Sequence, residues 1–179
     1  MRTVVLRVVA LALLLLLVLV AAISIRTVRH VPDTIVYFVV SDGNRFRLAP
    51  AYRNGVRGDP AAHAVAAARY EVAALAAGPT PAEKAKGLRT AVPADTRVLD
   101  ASFEGGTLTI DLSSSFEQGG GSAMMMGRLN QLFYTLTRPE AVASVVLEVG
   151  GRRVTVFAGE GIEVPNPWRR AAAPSQPVW

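Results

Sequence analysis

The sequence predicts an α+β fold: a two-layer sandwich in which a mainly antiparallel sheet of hairpins is covered on one face by two helices. Two observations predict it. Pairs of β-type segments joined by turn residues recur along the chain, and two segments with apolar residues at helical spacing separate these pairs. The order β-β-α-β-β-α-β-β favours hairpins over crossovers, which is typical of this class. We expect one domain over residues 30–157, between a leader at 1–29 and a tail at 158–179.

An uninterrupted apolar run, Val8–Ile25, lies in the leader. As a helix it would be about 27 Å long, close to the hydrocarbon thickness of a bilayer. It is longer than the apolar core of a cleavable signal peptide, and its small-x-small site, Ala22-Ile23-Ser24, lies inside the run. An uncleaved, single-pass anchor is therefore favoured over a signal peptide. Either interpretation puts the domain on the extracytoplasmic side of the cytoplasmic membrane.

Composition excludes several classes of site. The chain has no cysteine, which excludes disulfides, thiolate metal sites, a cysteine nucleophile and a lipid-modified cysteine. It is basic, with 19 Lys and Arg against 14 Asp and Glu. Much of the excess flanks the apolar run or lies in the tail: Arg2, Arg7, Arg26, Arg29, Arg169 and Arg170. Because the domain itself is near neutral, we expect a membrane surface to attract this charge and no nucleic-acid partner.

The first hairpin is predicted from two segments. Thr34–Val40 is rich in β-branched and aromatic residues, and Arg45–Tyr52 follows the turn Ser41–Asn44. The second strand alternates apolar and basic side chains, Phe46 and Leu48 against Arg45 and Arg47. This alternation predicts one buried and one wet face.

The first helix is predicted to begin at Asp59-Pro60, with aspartate as the N-cap and proline in the first turn. Gly78-Pro79 predicts its end, because glycine suits a left-handed terminal residue and proline cannot continue the helix. Thr80–Glu83 predicts a short second helix that ends near Lys86.

The second hairpin is predicted from Arg97–Phe103 and Thr107–Leu112, around the turn Glu104-Gly105-Gly106. The second long helix is predicted over Ala123–Thr137. Its apolar residues recur every three or four positions, at Met125, Leu129, Leu132 and Leu136, and Phe133 widens this stripe.

A last hairpin is predicted from Ser144–Val149 and Arg152–Phe157, around Gly150-Gly151. The tail that follows is rich in proline, arginine and tryptophan, and we expect it to be irregular.

Short motifs along these elements resemble the GerMN domain, which is named for a spore-germination and sporulation protein. The motifs are Val36-Tyr37-Phe38, Leu75–Thr80, Gly87-Leu88, Val92-Pro93, Ile110–Ser113, Leu136-Thr137 and the Val145–Val156 hairpin. The order and spacing of these motifs support the resemblance, which covers about Ile35 to Val156.

The resemblance implies an extracytoplasmic, membrane-tethered domain without known catalysis, similar in fold to the ring-building motifs of envelope-spanning assemblies. It implies structural roles for the motif residues Gly78, Pro79, Thr80, Pro93, Asp111 and Ser113. Family members are often lipoproteins or carry two copies, and this sequence shows neither feature. A role in sporulation is therefore not carried over.

No catalytic, metal or cofactor site is predicted. The two histidines, His30 and His63, have no partner at metal-ligand spacing and no nucleophile motif. Asp100 and Asp111, with Glu104 nearby, could converge as the carboxylate pair of a glycosidase. A local turn or cap explains Asp111 as well, because aspartate beside serine commonly accepts hydrogen bonds from nearby backbone. The structural explanation is favoured.

The candidate interaction residues are arginines on the second strand and the tryptophans and arginines of the tail: Arg45, Arg47, Trp168, Arg169, Arg170 and Trp179. The predicted function is that of a non-enzymatic, membrane-anchored domain that binds another envelope component, with a protein favoured as partner. One alternative is a module that binds peptidoglycan or another polysaccharide. A less favoured alternative is a wall hydrolase that uses Asp100 and Asp111.

Overall fold

A computed structural model describes residues 34–42, 45–55, 59, 61–138, 141–157 and 161–170, all of them within the unit Pro32–Trp179. For Asp42 and Arg45 it describes the backbone alone. Within these ranges no helix combines the length and the apolar character needed to cross a bilayer. The predicted anchor, Val8–Ile25, lies outside the described residues, as do His30 and Trp179.

The first hairpin consists of β1 (Thr34–Asp42) and β2 (Arg45–Arg53), paired antiparallel as a separate two-stranded sheet. Phe38 and Ala51 on one face are buried, but so is Leu48 on the other. Arg47 shares the face of Ala51 and is exposed. The expected division into one apolar and one wet face is therefore wrong. Both faces of this hairpin carry buried side chains.

Two helices follow: α1 (Ala64–Ala77) and α2 (Pro81–Ala85). The predicted start of α1 at Asp59 is wrong, because the N-cap position is His63. Asp59 instead stabilises a preceding turn: its Oδ1 accepts a hydrogen bond from the Ala61 N–H (3.2 Å), and its carbonyl accepts one from the His63 N–H (3.1 Å).

The main sheet has the strand order β3 (Val98–Glu104), β4 (Thr107–Leu112) and β5 (Ser144–Val149). The predicted β3–β4 hairpin is present, with both glycines of its turn, Gly105 and Gly106, at positive φ. Strand β5, however, is parallel to β4.

This parallel pairing corrects the expectation that hairpins form the whole sheet. The connection from β4 to β5 contains a 3₁₀ helix (Ser114–Glu117) and α3 (Ser122–Leu136). A connection of that length brings the chain back to the end of the sheet at which β4 began, so that the next strand runs in the same direction. The α+β class itself is confirmed: the described residues contain three α-helices and sheets that are antiparallel except for this pair.

The outer edge of β5 is shared by two short strands. β6 (Arg152–Arg153) pairs with its end, and β9 (Trp168–Arg169) pairs with its start. Between them, the Asn166 side-chain amide donates to the carbonyls of Leu147 (2.9 Å) and Val154 (2.8 Å). The Asn166 side chain therefore supplies a hydrogen bond to the part of the β5 edge that lies between β6 and β9.

The predicted last hairpin is correct only for its first two residue pairs. The chain turns away after β6, and β7 (Val156–Phe157) pairs with β8 (Ile162–Glu163) instead. The prediction of an irregular tail is thus wrong for residues 161–170. Pro165 and Pro167 lack backbone N–H groups and interrupt the pairing, which hides these strands from a search for longer β patterns.

One apolar core lies between the helices and the main sheet, and it includes the whole predicted stripe of α3. Its largest contributors are Val36, Phe38, Leu75, Leu108, Ile110, Leu112, Phe116, Met125, Leu129, Leu132, Phe133, Leu136, Val145, Leu147 and Phe157.

A polar row on α3 is also buried. The Arg128 guanidinium donates hydrogen bonds to four backbone carbonyls, those of Ala91, Phe116, Gln118 and Gly119. Burial lowers the pKa of Arg128, and the four carbonyl dipoles compensate for the lost hydration. One turn further on, Gln131 donates to the Tyr37 carbonyl (3.1 Å), and Thr135 accepts from the Tyr37 N–H (3.0 Å). These contacts satisfy the backbone N–H and carbonyl of Tyr37 on the outer edge of β1.

Candidate functional site

The tail tryptophan folds onto the C-terminal part of α3. The Trp168 ring stacks on Phe133, with centroids 4.7 Å apart and ring planes 11° apart. It also meets Tyr134 at 5.4 Å, and Tyr134 in turn meets Tyr37 of β1 edge to face at 6.3 Å. Phe133 is buried, whereas Tyr37, Tyr134 and Trp168 are half-buried. Three aromatic rings thus form a continuous patch that reaches the surface.

Arg170 completes this patch. Its guanidinium lies 4.7 Å from the centroid of the Tyr134 ring, within the range of a cation–π interaction. The same group donates to the Tyr134 carbonyl and to Thr137 Oγ1 (3.1 Å). Its neighbour Arg169 is exposed, with its backbone paired to Ser144. We call Tyr37, Tyr134, Trp168 and Arg170 the aromatic surface.

The composition of the aromatic surface suits binding to a protein. Tyrosine, tryptophan and arginine are the residues enriched at binding hot spots, because they combine a large apolar area with a polar end. Their intramolecular packing fixes the rotamers before a partner arrives, which reduces the entropy lost on association.

The other candidate interaction residues are not part of the aromatic surface. Arg47 is exposed on β2, opposite Val40. The Arg45 side chain and Trp179 lie outside the described residues. Two residues of the aromatic surface were not among the predicted interaction residues: Tyr37 was named only within a family motif, and Tyr134 was not named. A signal was present in Tyr134, which follows the predicted core residue Phe133, because the polar end of a tyrosine ring favours a partly exposed position.

The N-terminal motif residues end one helix and begin the next. Gly78 has φ of 77°, and a Cβ there would lie 3.2 Å from the Thr90 side chain, so both the backbone and the space favour glycine. Pro79 is buried. Thr80 and Glu83 form a reciprocal capping box on α2.

The C-terminal motif residues hold turns. The Pro93 carbonyl accepts from the Thr96 N–H (3.1 Å). Ser113 Oγ accepts from the Arg97 N–H (3.0 Å). Both carboxylate oxygens of Asp111 lie 3.0 Å from the Gly151 N–H, which ties β4 to the turn after β5.

The carboxylates considered for catalysis have separate structural contacts. Asp100 and Asp111 are cross-strand partners on β3 and β4. The Asp100 side chain is 85% exposed and lies 3.9 Å from Arg69, while Asp111 holds the Gly151 turn. Glu104 is exposed beside the β3–β4 turn.

His63 Nδ1 lies 3.0 Å from the Asp59 carbonyl at an exposed helix start. Across the described part of the chain, no group of three or more His, Asp or Glu side chains is placed to hold a metal ion.

Comparison with known proteins gives a family. The family model described as "Germane: Sporulation and spore germination" matches residues 35–155. No functionally curated protein matches the chain at a significant level.

Solved structures are similar in fold. The tandem GerMN domains of the sporulation protein GerM from Bacillus subtilis match with a TM-score of 0.58 at 22% identity, covering 77% of this chain and 45% of that one. The chain therefore spans less than half of the tandem structure. The first GerMN domain of the same protein matches with a TM-score of 0.57 at 18% identity, covering 76% of this chain and 96% of the domain. A protein from Clostridium perfringens matches with a TM-score of 0.52 at 17% identity, covering 76% of this chain and 85% of that one.

The family match extends from β1 to the segment just before β7, and the structures of GerMN domains share the arrangement of strands and helices described above. The chain belongs to the GerMN (Germane) family of sporulation and spore-germination domains.

Proposed function

We propose that this GerMN domain is a non-catalytic, membrane-anchored module that binds a protein of the cell envelope through the aromatic surface. The observation that carries the proposal is the packing of Trp168 and Arg170 against Tyr134, which keeps two aromatic rings and a guanidinium fixed but partly accessible. The apolar run Val8–Ile25 supports anchoring, because its length matches the hydrocarbon core of a bilayer.

The proposal is non-catalytic because the acidic residues have other roles. Asp111 is held by a backbone N–H, and Asp100 is largely surrounded by solvent beside a positive charge. A glycosidase acid and its second carboxylate must face one substrate-binding cleft. The Asp100 side chain instead faces solvent, and the Asp111 carboxylate accepts a hydrogen bond at the turn after β5.

One experiment tests location and binding together. Because the chain has no cysteine, Arg138→Cys introduces a single thiol at an exposed position just after α3, near the aromatic surface. A membrane-impermeant reagent that carries a maleimide and a photoactivated group is applied to intact cells. We expect labelling before lysis and, after illumination, a discrete protein adduct. Lys86→Cys, exposed beyond α2, is the matched control and should be labelled without forming that adduct.

Two further changes in the Arg138→Cys chain examine the surface itself. Trp168→Ala should lower the adduct yield about tenfold or more, as expected for a hot-spot residue. Arg169→Glu should lower it without disturbing the core, since this side chain is exposed. Lys86→Glu, with the same change in charge, should have no effect.

Three results would contradict the proposal. Labelling that requires lysis would place the domain on the cytoplasmic side. If Arg138→Cys and Lys86→Cys gave the same adducts, the aromatic surface would not be the binding site. Adducts to purified sacculi in place of protein would favour the polysaccharide-binding alternative.

A further inference from the structure

A second candidate site lies between α1 and the segment that leads into β3. It is a cleft of about 420 Å³, which we call the α1–β3 cleft. Arg69, Ala73 and Ala76 line it from the helix, and Thr96 and Arg97 line it from the opposite side. None of these residues belongs to the aromatic surface, so the two sites can be tested separately.

Two guanidinium groups of the cleft are weakly engaged. Arg69 donates a long hydrogen bond (3.3 Å) to the Val98 carbonyl and lies 3.9 Å from the exposed Asp100 carboxylate. Arg97 is exposed, and no hydrogen bond or ion pair of its side chain occurs in the described part of the chain. Both arginines can therefore turn toward an anion at little cost in existing contacts.

A buried hydroxyl gives an independent indication of a ligand. Thr96 is 5% exposed, and its Oγ1 has no hydrogen-bond partner within the described ranges. An unpaired buried hydroxyl is costly, and native proteins seldom leave one without a function or a missing partner. Because Thr96 is a lining residue of the cleft, a change of its side-chain rotamer would bring the hydroxyl to a hydrogen-bond acceptor held there.

The remaining lining selects the kind of anion. Alanine methyl groups from α1 give the cleft an apolar wall that can contact a small apolar side chain. Asp95 and Asp100, which lie nearby without lining the cleft, disfavour a dianion such as phosphate more than a single carboxylate.

We propose that the α1–β3 cleft binds the C-terminal carboxylate of a peptide that ends in small apolar residues. Arg69 and Arg97 hold the carboxylate oxygens, the Thr96 hydroxyl donates to one of them, and the methyl groups of Ala73 and Ala76 contact the terminal side chain. The cleft is a recognition site and involves no covalent step.

The test is a calorimetric titration of the full-length chain in detergent with acetyl-Ala-Ala-Ala as the free acid. We expect saturable binding of the acid, and at least tenfold weaker binding of its C-terminal amide and of acetyl-Ala-Asp-Ala-amide. Inorganic phosphate should compete poorly.

Variants separate the cleft from a general charge effect. Arg97→Ala should weaken binding about tenfold, whereas Arg153→Ala, another exposed arginine outside the cleft, should leave it unchanged. Thr96→Val should weaken binding about fivefold while the melting temperature stays the same or rises, because it removes an unpaired buried hydroxyl.

Equal binding of acid and amide, competition by phosphate as strong as binding of the peptide acid, or equal losses in Arg97→Ala and Arg153→Ala would each overturn the proposal. Absence of binding by the peptide acid would do so as well. A tighter interaction with the aspartyl peptide would reject the C-terminal specificity.

Discussion

Glu71 has an unusual environment for a carboxylic acid. It lies on α1 and is only 3% exposed, and no hydrogen bond or ion pair reaches its side chain within the described residues. Burial raises the pKa of Glu71 from 4.5 to about 8. The folded protein therefore holds a proton at neutral pH that the unfolded chain releases.

This proton makes stability depend on pH. Between pH 4.5 and about 8 the folded state binds more protons than the unfolded state, so the free energy of unfolding falls as pH rises through that window. Glu71→Gln should remove this slope. We expect the variant to match the parent at pH 5 and to exceed its free energy of unfolding by about 1–4 kcal/mol at pH 8. Urea denaturation at several pH values measures this difference.

Glu104→Gln is the matched control, because Glu104 is an exposed glutamate beside a turn. Its pH profile should follow that of the parent. A Glu71→Gln profile parallel to the parent's would show that the buried carboxyl is not the source of the pH dependence.

Residue roles were predictable where the signal is local. The glycine at the end of α1 and the Thr80 cap have chain neighbours that define them. Arg128 and Glu71 were not predictable in this way. A charged residue on a helix is ordinarily solvated, and the carbonyls that Arg128 binds come from two segments far apart in the sequence, one at Ala91 and one at residues 116–119. Trp168 was predicted as an interaction residue because the tail is rich in tryptophan and arginine. Its packing against Phe133 of α3 was not predicted.

At the scale of elements, α2 shows how a very short helix is held. A five-residue helix is unstable alone, because the conformational entropy lost in forming the first turn outweighs the stabilisation from its few hydrogen bonds. Thr80 and Glu83 cap it reciprocally, and Arg53 of β2 donates to both Glu83 oxygens at 2.7 and 2.8 Å. The hydrogen bonds from Arg53 are the largest cause that lowers the pKa of Glu83 to about 2.

This ion pair should break at low pH. The stability that it contributes is fully present above pH 4.5 and is lost as pH falls toward about 2. We expect Glu83→Gln to lower the free energy of unfolding by about 1–2 kcal/mol at pH 6, a value reduced by the partial exposure of the pair. The difference should vanish near pH 2. Chemical denaturation followed by circular dichroism measures both values.

Glu163→Gln, at an exposed glutamate on β8, provides the control and should stay close to the parent at both pH values. A Glu83→Gln deficit that persists unchanged at pH 2 would assign the loss to helix capping and not to the ion pair.

The types of the longer elements were predictable, and their ends were less so. Periodicity identified α3 and the β3–β4 hairpin to within one residue at each end. The start of α1 was placed too early, because the Asp59-Pro60 signal also suits the turn that Asp59 forms with Ala61. Local sequence does not distinguish a capped turn from a capped helix.

At the scale of the whole molecule, the division into sheets was the main feature missed. The expected single sheet of hairpins is instead a separate β1–β2 hairpin and a main sheet with one parallel pair. Strand order depends on which edges meet after the helices pack, and that is a long-range property. The short strands β8 and β9 were not predicted for a different reason: two residues are too few to show an alternating pattern of apolar and polar side chains.

The structure makes residues 161–170 part of the domain, and truncation tests this. A chain that ends at Phe157 loses β8, β9, the Asn166 bridge and the Trp168 stack. We expect its melting temperature to fall by about 10 °C or more, since burial of one large aromatic contributes about 1.5–3 kcal/mol and several contacts are lost together. A chain that ends at Arg170 keeps all of these contacts and should melt within about 2 °C of the parent. Differential scanning calorimetry compares the three chains, and similar melting of all of them would mean that the tail adds no stability.

The return of β9 to the start of β5 also fixes where any following polypeptide begins. That point is beside Ser144 and the last turn of α3, next to Tyr134. A purification handle or fluorescent reporter fused directly behind Arg170 would shield the patch that we assign to recognition, and pull-downs would then underestimate its affinity. A flexible Gly/Ser spacer of about 20 residues has a root-mean-square length of roughly 25 Å. Such a spacer would place the fused protein far enough from the aromatic surface to leave it open to a partner.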